Sequence, residues 1–228
     1  MSAQARIPSP RPEIDQYTIK ALIGFIAFLL PVIEVLLHGA VPPSISQSYW
    51  LGPTNRTVFV GMLFALAALL LSYNGNDRRE LVGGKIVCVA ALVISFFPCN
   101  CECPTPDKTS AAIHLTSAVI LFGTIGWFCH HFAWRAESTM QQFHADQHRY
   151  ARRRMAIYRV CELLMGLSIL FCGADAFLTR DGGVDPWRLF FWGEVAGLFG
   201  FGGSWFTASK IGSWLAHDSE RNYLFRSV

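Results

Sequence analysis

The chain has 228 residues, of which 52% are hydrophobic and 15% charged, and its formal net charge is +3. A soluble domain carries roughly 25% charged residues, so the composition argues against a water-soluble protein and for one solvated by lipid. Its basic excess lies beside apolar runs, where it reads as a topology signal and a contact for anionic membrane lipids, not as a nucleic-acid patch.

Residues 1–18 are polar and contain Pro8, Pro10 and Pro12. They lack the short apolar region and small-residue cleavage site of a signal peptide, so the first helix is expected to be an uncleaved anchor. Six apolar runs follow, at about 20–38, 57–73, 85–98, 112–134, 157–178 and 187–209. Runs such as 21–37 and 58–71 have almost no polar face, which a surface helix of a soluble protein needs. The first run ends at Gly39, and Pro42-Pro43 open a loop holding Ser44, Ser46, Ser48, Tyr49 and Trp50. The two aromatics suit the belt at a membrane interface. Asn55-Arg56-Thr57 matches a glycosylation sequon that abuts the second run. A turn at Asn74–Asp77 leads to the third run, which is short, so a five-span arrangement is the alternative. Pro98 ends that run, and Cys99, Cys101 and Cys103 come next. The segment 137–155 is rich in Gln, His and Arg and predicts that the fourth and fifth helices project beyond the bilayer as polar extensions. No internal repeat is evident, so a transporter built of inverted halves gains no support.

Numbering the gaps between runs, the 19 Lys and Arg divide 15 to 4 between the two sides. The poor side holds only Arg56, Lys108, Arg180 and Arg188. Such an excess in short loops marks the cytoplasmic side. The expected fold is therefore all-α, a polytopic membrane protein with six transmembrane helices over 19–210. A polar N-terminal segment, 1–18, and a tail, 211–228, would both be cytoplasmic. A five-span chain would separate the termini and spoil the alternation.

Ionisable groups inside spans are costly and mark functional sites by default. Glu34 and His38 lie one turn apart near the outer end of the first helix, and His114 and Ser117 one turn apart near the outer start of the fourth. Asp175 and Glu194 reach a similar depth from the fifth and sixth, while Glu162 lies near the inner end. A Glu34–His114 or Glu194–His114 pair serving only helix contact is the plainer reading. The functional reading is an outward-facing polar pocket of Glu34, His38, Ser46, His114, Ser117 and Glu194.

Cys88, Cys129, Cys161 and Cys172 sit in apolar runs and read as packing residues. Cys99, Cys101 and Cys103 fall on the oxidising side, where a Cys99–Cys103 disulfide is one expectation. Three thiolates with His114 holding zinc is a weaker one. No cofactor is otherwise expected. Gly193 and Gly197 in the sixth helix favour close helix contact, within the chain or in a homo-oligomer.

The order of Ser44-Ile45-Ser46, Ile113-His114 with Ser117, Glu194, and Ser204-Trp205 resembles the six-span superfamily of FGF-receptor-activating and DRAM (damage-regulated autophagy modulator) proteins and their bacterial relatives. The resemblance covers roughly residues 19–210. It implies a six-span fold and an association with lipid-anchor remodelling, lipid organisation or membrane trafficking, here in a bacterial inner membrane. The Cys99–Cys103 cluster departs from that pattern. A fainter likeness to membrane hydrolases of the alkaline ceramidase type lacks their paired C-terminal histidines. The leading expectation is recognition or organisation of a lipid or small amphiphile without catalysis. The alternatives are a lipid hydrolase or transferase using His114 and Glu194, and a proton-coupled transporter.

Overall fold

The computed structural model describes residues 15–99, 107–142, 145–179 and 186–216. These residues form six helices and no strand: α1 Gln16–His38, α2 Pro53–Ser72, α3 Arg78–Phe96, α4 Lys108–Gln142, α5 Ala145–Leu178 and α6 Leu189–Ala208. A single 3₁₀ turn, Ser46–Tyr49, lies in the loop between α1 and α2. Each helix packs on the next in the chain, and α6 returns against α1 to close a ring, with a further contact to α4.

Local chemistry sets the helix ends. Asp15 caps α1, its Oδ1 accepting from the N–H groups of Tyr17 at 2.8 Å and Thr18 at 2.9 Å. Asp77 caps α3 in the same way, accepting from Arg79 at 2.7 Å and Glu80 at 2.9 Å. Both caps lie upstream of the apolar runs, so these helices begin earlier than hydropathy suggests. Gly39 stops α1 with φ 74°, a left-handed conformation that glycine adopts without penalty. Pro53 opens α2 at a position where its missing N–H costs nothing. The polar extensions expected of the fourth and fifth helices are present, with α4 running to Gln142 and α5 starting at Ala145.

Four helical segments are long and apolar enough to cross a membrane: Gln16–His38, Pro53–Ser72, Lys108–Met140 and His148–Leu178. Two fall short of that standard. α3 begins with Arg78, Arg79 and Glu80 and carries Lys85, while α6 contains Glu194 and many glycines. Large apolar side chains face outward, including Leu36 at 74% exposure, Val119 at 65% and Leu163 at 68%. Such a surface is stable against acyl chains and not against water.

Lipid tails are as apolar as leucine, so helices in a membrane associate through close packing more than through hydrophobic burial. The glycines of α6 serve that purpose inside the chain. A Cβ on Gly193 would stand 3.0 Å from the Ser168 carbonyl of α5, and one on Gly197 would collide with Phe122 of α4. The Gly193 and Gly197 face is thus taken up by α4 and α5. Across the ring, a Cβ on Gly24 would lie 2.7 Å from Phe206 N and 2.8 Å from Gly202 O, so α1 and α6 touch backbone to backbone. The core continues toward the ends of α2 and α6 as an aromatic cluster. There Tyr73 packs on Trp205 with ring centroids 4.8 Å apart, and Trp205 on Phe128 at 5.2 Å.

Gly24→Ala should push α1 from α6 and cost about 1–3 kcal/mol, the range for overpacking, read as a lower midpoint in a detergent thermal melt. Gly61→Ala, whose new Cβ has no neighbour within 4 Å, should be neutral or stabilising by up to about 1 kcal/mol through helix propensity.

Candidate functional site

The bundle has a loop end, where the 39–52 segment joins α1 to α2, and a basic end, where the α2–α3 turn and the α4–α5 junction lie. At the loop end Glu194 of α6 reaches the 3₁₀ turn. Its carboxylate accepts from the backbone N–H of Ile45, from Ser46 N–H at 3.3 Å and from the Ser46 hydroxyl at 2.6 Å. His114 approaches the same hydroxyl from α4, Nε2 lying 3.2 Å from Ser46 Oγ, while Nδ1 lies 2.7 Å from the carbonyl of Phe97. Glu194 and His114 are each 6% exposed, and Ser46 is half-buried. Glu194 and His114 therefore meet through a serine, not directly.

The proton positions follow from this geometry. A carbonyl only accepts, so His114 Nδ1 carries a hydrogen. Ser46 has one hydroxyl hydrogen for two neighbours, so one further proton must reside on the carboxyl or on Nε2. Either a protonated Glu194 donates to Ser46 and Ser46 to a neutral imidazole, or an imidazolium donates to Ser46 and Ser46 to the carboxylate. The cluster is neutral in both cases, and one shift along the hydroxyl interconverts them.

A second buried carboxyl at this end belongs to α1. Glu34, fully buried in α1, accepts at Oε2 from Asn55 Nδ2 at 2.9 Å. Ser48 lies against the same carboxyl, yet Glu34 Oε1 and Ser48 Oγ lack hydrogen bonds of ordinary geometry. Asn55 is 6% exposed and committed to Glu34, so the sequon has no accessible amide. The structure thus brings together Glu194, Ser46 and His114, with Glu34 held apart from them by Asn55. It leaves His38 exposed at the end of α1. Ser117 is buried one turn beyond His114 but is not a partner of Glu194 or His114. Cys99 is buried, and its carbonyl accepts from Trp50 Nε1 at 2.9 Å. Cys101 and Cys103 lie outside the described residues, and with them the disulfide and zinc expectations.

At the basic end the sequence reading overlooked an arrangement around Glu80. This fully buried carboxylate accepts at Oε2 from Tyr73 Oη at 2.6 Å and from Asn76 N and Nδ2 at 2.8 and 2.9 Å, while Arg135 Nη1 donates to Oε1. Burial and the adjacent carboxylate hold the Tyr73 phenol far above its ordinary pKa, so it stays a donor. His131 Nε2 is 3.2 Å from Asp77 Oδ2 and 3.5 Å from Glu80 Oε1. The three groups have the spacing of a metal site. The Arg135 guanidinium, however, already stands on the Glu80 oxygen that a cation would need, so the arrangement reads as an ion-pair network. The signal for it was present in the sequence: Asp77-Arg78-Arg79-Glu80 has the spacing of a helix capping box.

Glu194→Ala should orphan the Ile45 and Ser46 amides. Hydrogen exchange across 45–48 should then reflect an opening free energy lower by about 1–3 kcal/mol, with the middle of α4 unchanged. At the basic end, the cap donated by Glu80 N–H holds the Asp77 carboxyl below its ordinary range against slight burial, aided by Arg79 N–H and His131. A depressed carboxylate stabilises the fold above its unfolded pKa of about 4 and loses that contribution as pH falls through the folded value. Acidification from pH 5 to pH 3 should therefore destabilise the wild type more than Asp77→Asn, measured as the difference in melting temperature.

Comparison of this chain with protein-family models, curated proteins and solved structures finds no match.

Proposed function

We propose that this chain is a six-span integral membrane protein, its basic end in the cytoplasm with both termini, that binds a lipid or small amphiphile by its polar head at Glu194, Ser46 and His114. The 15-to-4 division of basic residues supports the topology. So does the closed ring, in which α3 and α6 lie between the four apolar helices. With 19 and 20 residues, they are about 29 and 30 Å long at ~1.5 Å per residue, the depth of a hydrocarbon core of ~30 Å. Glu80, Ser95, Glu194, Ser204 and Thr207 are buried within the bundle, and the exposed Arg78 and Arg79 stand at the start of α3, so lipid meets mainly apolar side chains.

The observation that carries the binding reading is the Ser46 hydroxyl. It is the half-buried member of a buried set, held between an acid and a base, and its lone pairs are not exhausted by them. A headgroup hydroxyl or amine arriving in the outer leaflet would find a free acceptor lone pair there. The superfamily resemblance, with its association with lipid organisation, points the same way.

One distance favours a second reading, a hydrolase or transferase acting on lipid esters. Ser46 Oγ at 3.2 Å from His114 Nε2 is nucleophile-to-base spacing. Against it, the Ile45 and Ser46 N–H groups are committed to the Glu194 carboxylate. Acyl transfer would need such donors aimed at a developing oxyanion. Binding is therefore the better account.

Native mass spectrometry of gently solubilised protein should show a retained lipid in the wild type and about tenfold less in Ser46→Ala and His114→Ala. Absence of any retained species from all three would reduce the cluster to a latch for the loop. A covalent phosphonate adduct on Ser46, lost in His114→Ala, would replace binding with catalysis.

A further inference from the structure

At the basic end, remote from Ser46, a cavity of about 100 Å³ opens among Tyr17, Lys20, Arg135, Arg154, Tyr158 and Lys210. Its four cations come from α1, α4, α5 and the residue just beyond the C-cap of α6, so they surround a volume instead of lining one helix face. The burial of two of them separates the site from the ordinary basic fringe of a membrane protein. Lys20 is 4% exposed and Arg154 5%.

Two of these cations have defined partners. Arg135 donates to Glu80, and Arg154 Nη1 donates to the carbonyl of Leu215 at 2.9 Å. Lys20 differs. Among the described residues its ammonium has no hydrogen bond and no ion pair, only the rings of Tyr17 and Tyr73 at 5.3 and 5.5 Å. A buried ammonium without an anion is costly. The carboxylate that acts on it, Glu80, is already engaged by Arg135, which with Lys210 adds like charge around Lys20. Among the described residues Lys20 therefore faces, without an anion of its own, a cavity that holds about three waters' worth of volume at ~30 Å³ each. That space suits one tetrahedral oxyanion, and donors converging from several sides fit its oxygens better than a planar carboxylate, for which a single arginine fork is enough.

We infer that this cavity is a binding site for a phosphate group, held by Lys20, Arg135, Arg154 and Lys210 from four sides of the bundle. The phosphate can belong to a phospholipid headgroup of the adjoining leaflet or be free in solution, since the chemistry recognised is the same.

The test uses the full chain, with two probes: inorganic phosphate added to the protein in dodecylmaltoside at constant ionic strength, and nanodiscs of phosphatidylglycerol in phosphatidylcholine. Phosphate should raise the melting temperature of the wild type in a concentration-dependent way. Lys20→Gln should need about tenfold more phosphate or greater for the same rise, and Lys20→Arg should restore it. Lys20→Gln removes an unpaired buried charge, so its fold should survive. Lys210→Asn, which suits the left-handed backbone there (φ 55°), provides an independent variant expected to weaken the response in the same sense. Phosphatidylglycerol retained through native mass spectrometry and displaced by phosphate would assign the site to a headgroup. A phosphate response without lipid retention would assign it to the free ion. No response to either probe, or equal responses in wild type and Lys20→Gln, would overturn the inference.

Discussion

The fold depends on two buried carboxylates, one at each end of the ring, that gather the backbone and side-chain donors of turns a membrane cannot solvate. Glu80 draws in Tyr73, Asn76 and Arg135, fixing the α2–α3 turn to α4. Glu194 draws in the amides of Ile45 and Ser46 and fixes the α1–α2 loop to α6. In hydrocarbon each unsatisfied polar group costs several kcal/mol, so a turn that sinks toward the bilayer must find its acceptors inside the protein. A carboxylate with several lone-pair sites does for a whole turn what separate side chains would otherwise do one at a time. Lys85 supplies the complementary device, donating from α3 to the terminal carbonyls of α2 at Tyr73 and Leu71.

The two ends use the same device with opposite results. At the loop end the donors and acceptors balance: Glu194, Ser46 and His114 share one mobile proton and carry no net charge. That neutrality allows the cluster to lie at 6% exposure without a counter-ion. At the basic end Glu80 serves Arg135 first. Its carboxylate compensates Arg135, and Lys20 is left with aromatic faces, whose quadrupoles offset only part of the desolvation of an ammonium. A charged ligand is expected where a fold leaves such an imbalance, whereas the neutral cluster at the loop end suits an uncharged polar head.

Much of the architecture was legible because lipid imposes one strong pattern, the long apolar run. All six helices lie where those runs fall, and the extensions of α4 and α5 followed from the Gln-, His- and Arg-rich pattern of 137–155. The helix starts were less legible. Asp15 and Asp77 cap from polar sequence that hydropathy assigns to loops. The candidate site was visible in part. Glu194 and His114 stood out as polar residues amid apolar ones, and Ser46 as one of three serines in the connecting loop. That Ser46 would be the bridge depended on a 3₁₀ turn, which no periodicity announces. Glu80 escaped because it follows Arg78 and Arg79 and reads locally as one charge of a solvated turn. Asn55 was hidden within a sequon, and only folding turned its amide inward to Glu34.

Lys20 shows why charge counting and site finding are separate inferences. As a number it adds one to the basic side, and in the proposed topology it helps to orient the first span, a role any basic residue at that depth would fill. Its position adds something the count cannot supply. It stands one turn inside α1, buried, with its ammonium 5.5 Å from the Tyr73 ring. Residues needed only for topology can sit at the rim and keep their hydration, as Arg78 and Arg79 do. A lysine buried to 4% exposure loses that hydration. The orienting role does not require the loss, so the burial needs a separate cause, and a bound anion is the cause that its surroundings of further cations are built to supply.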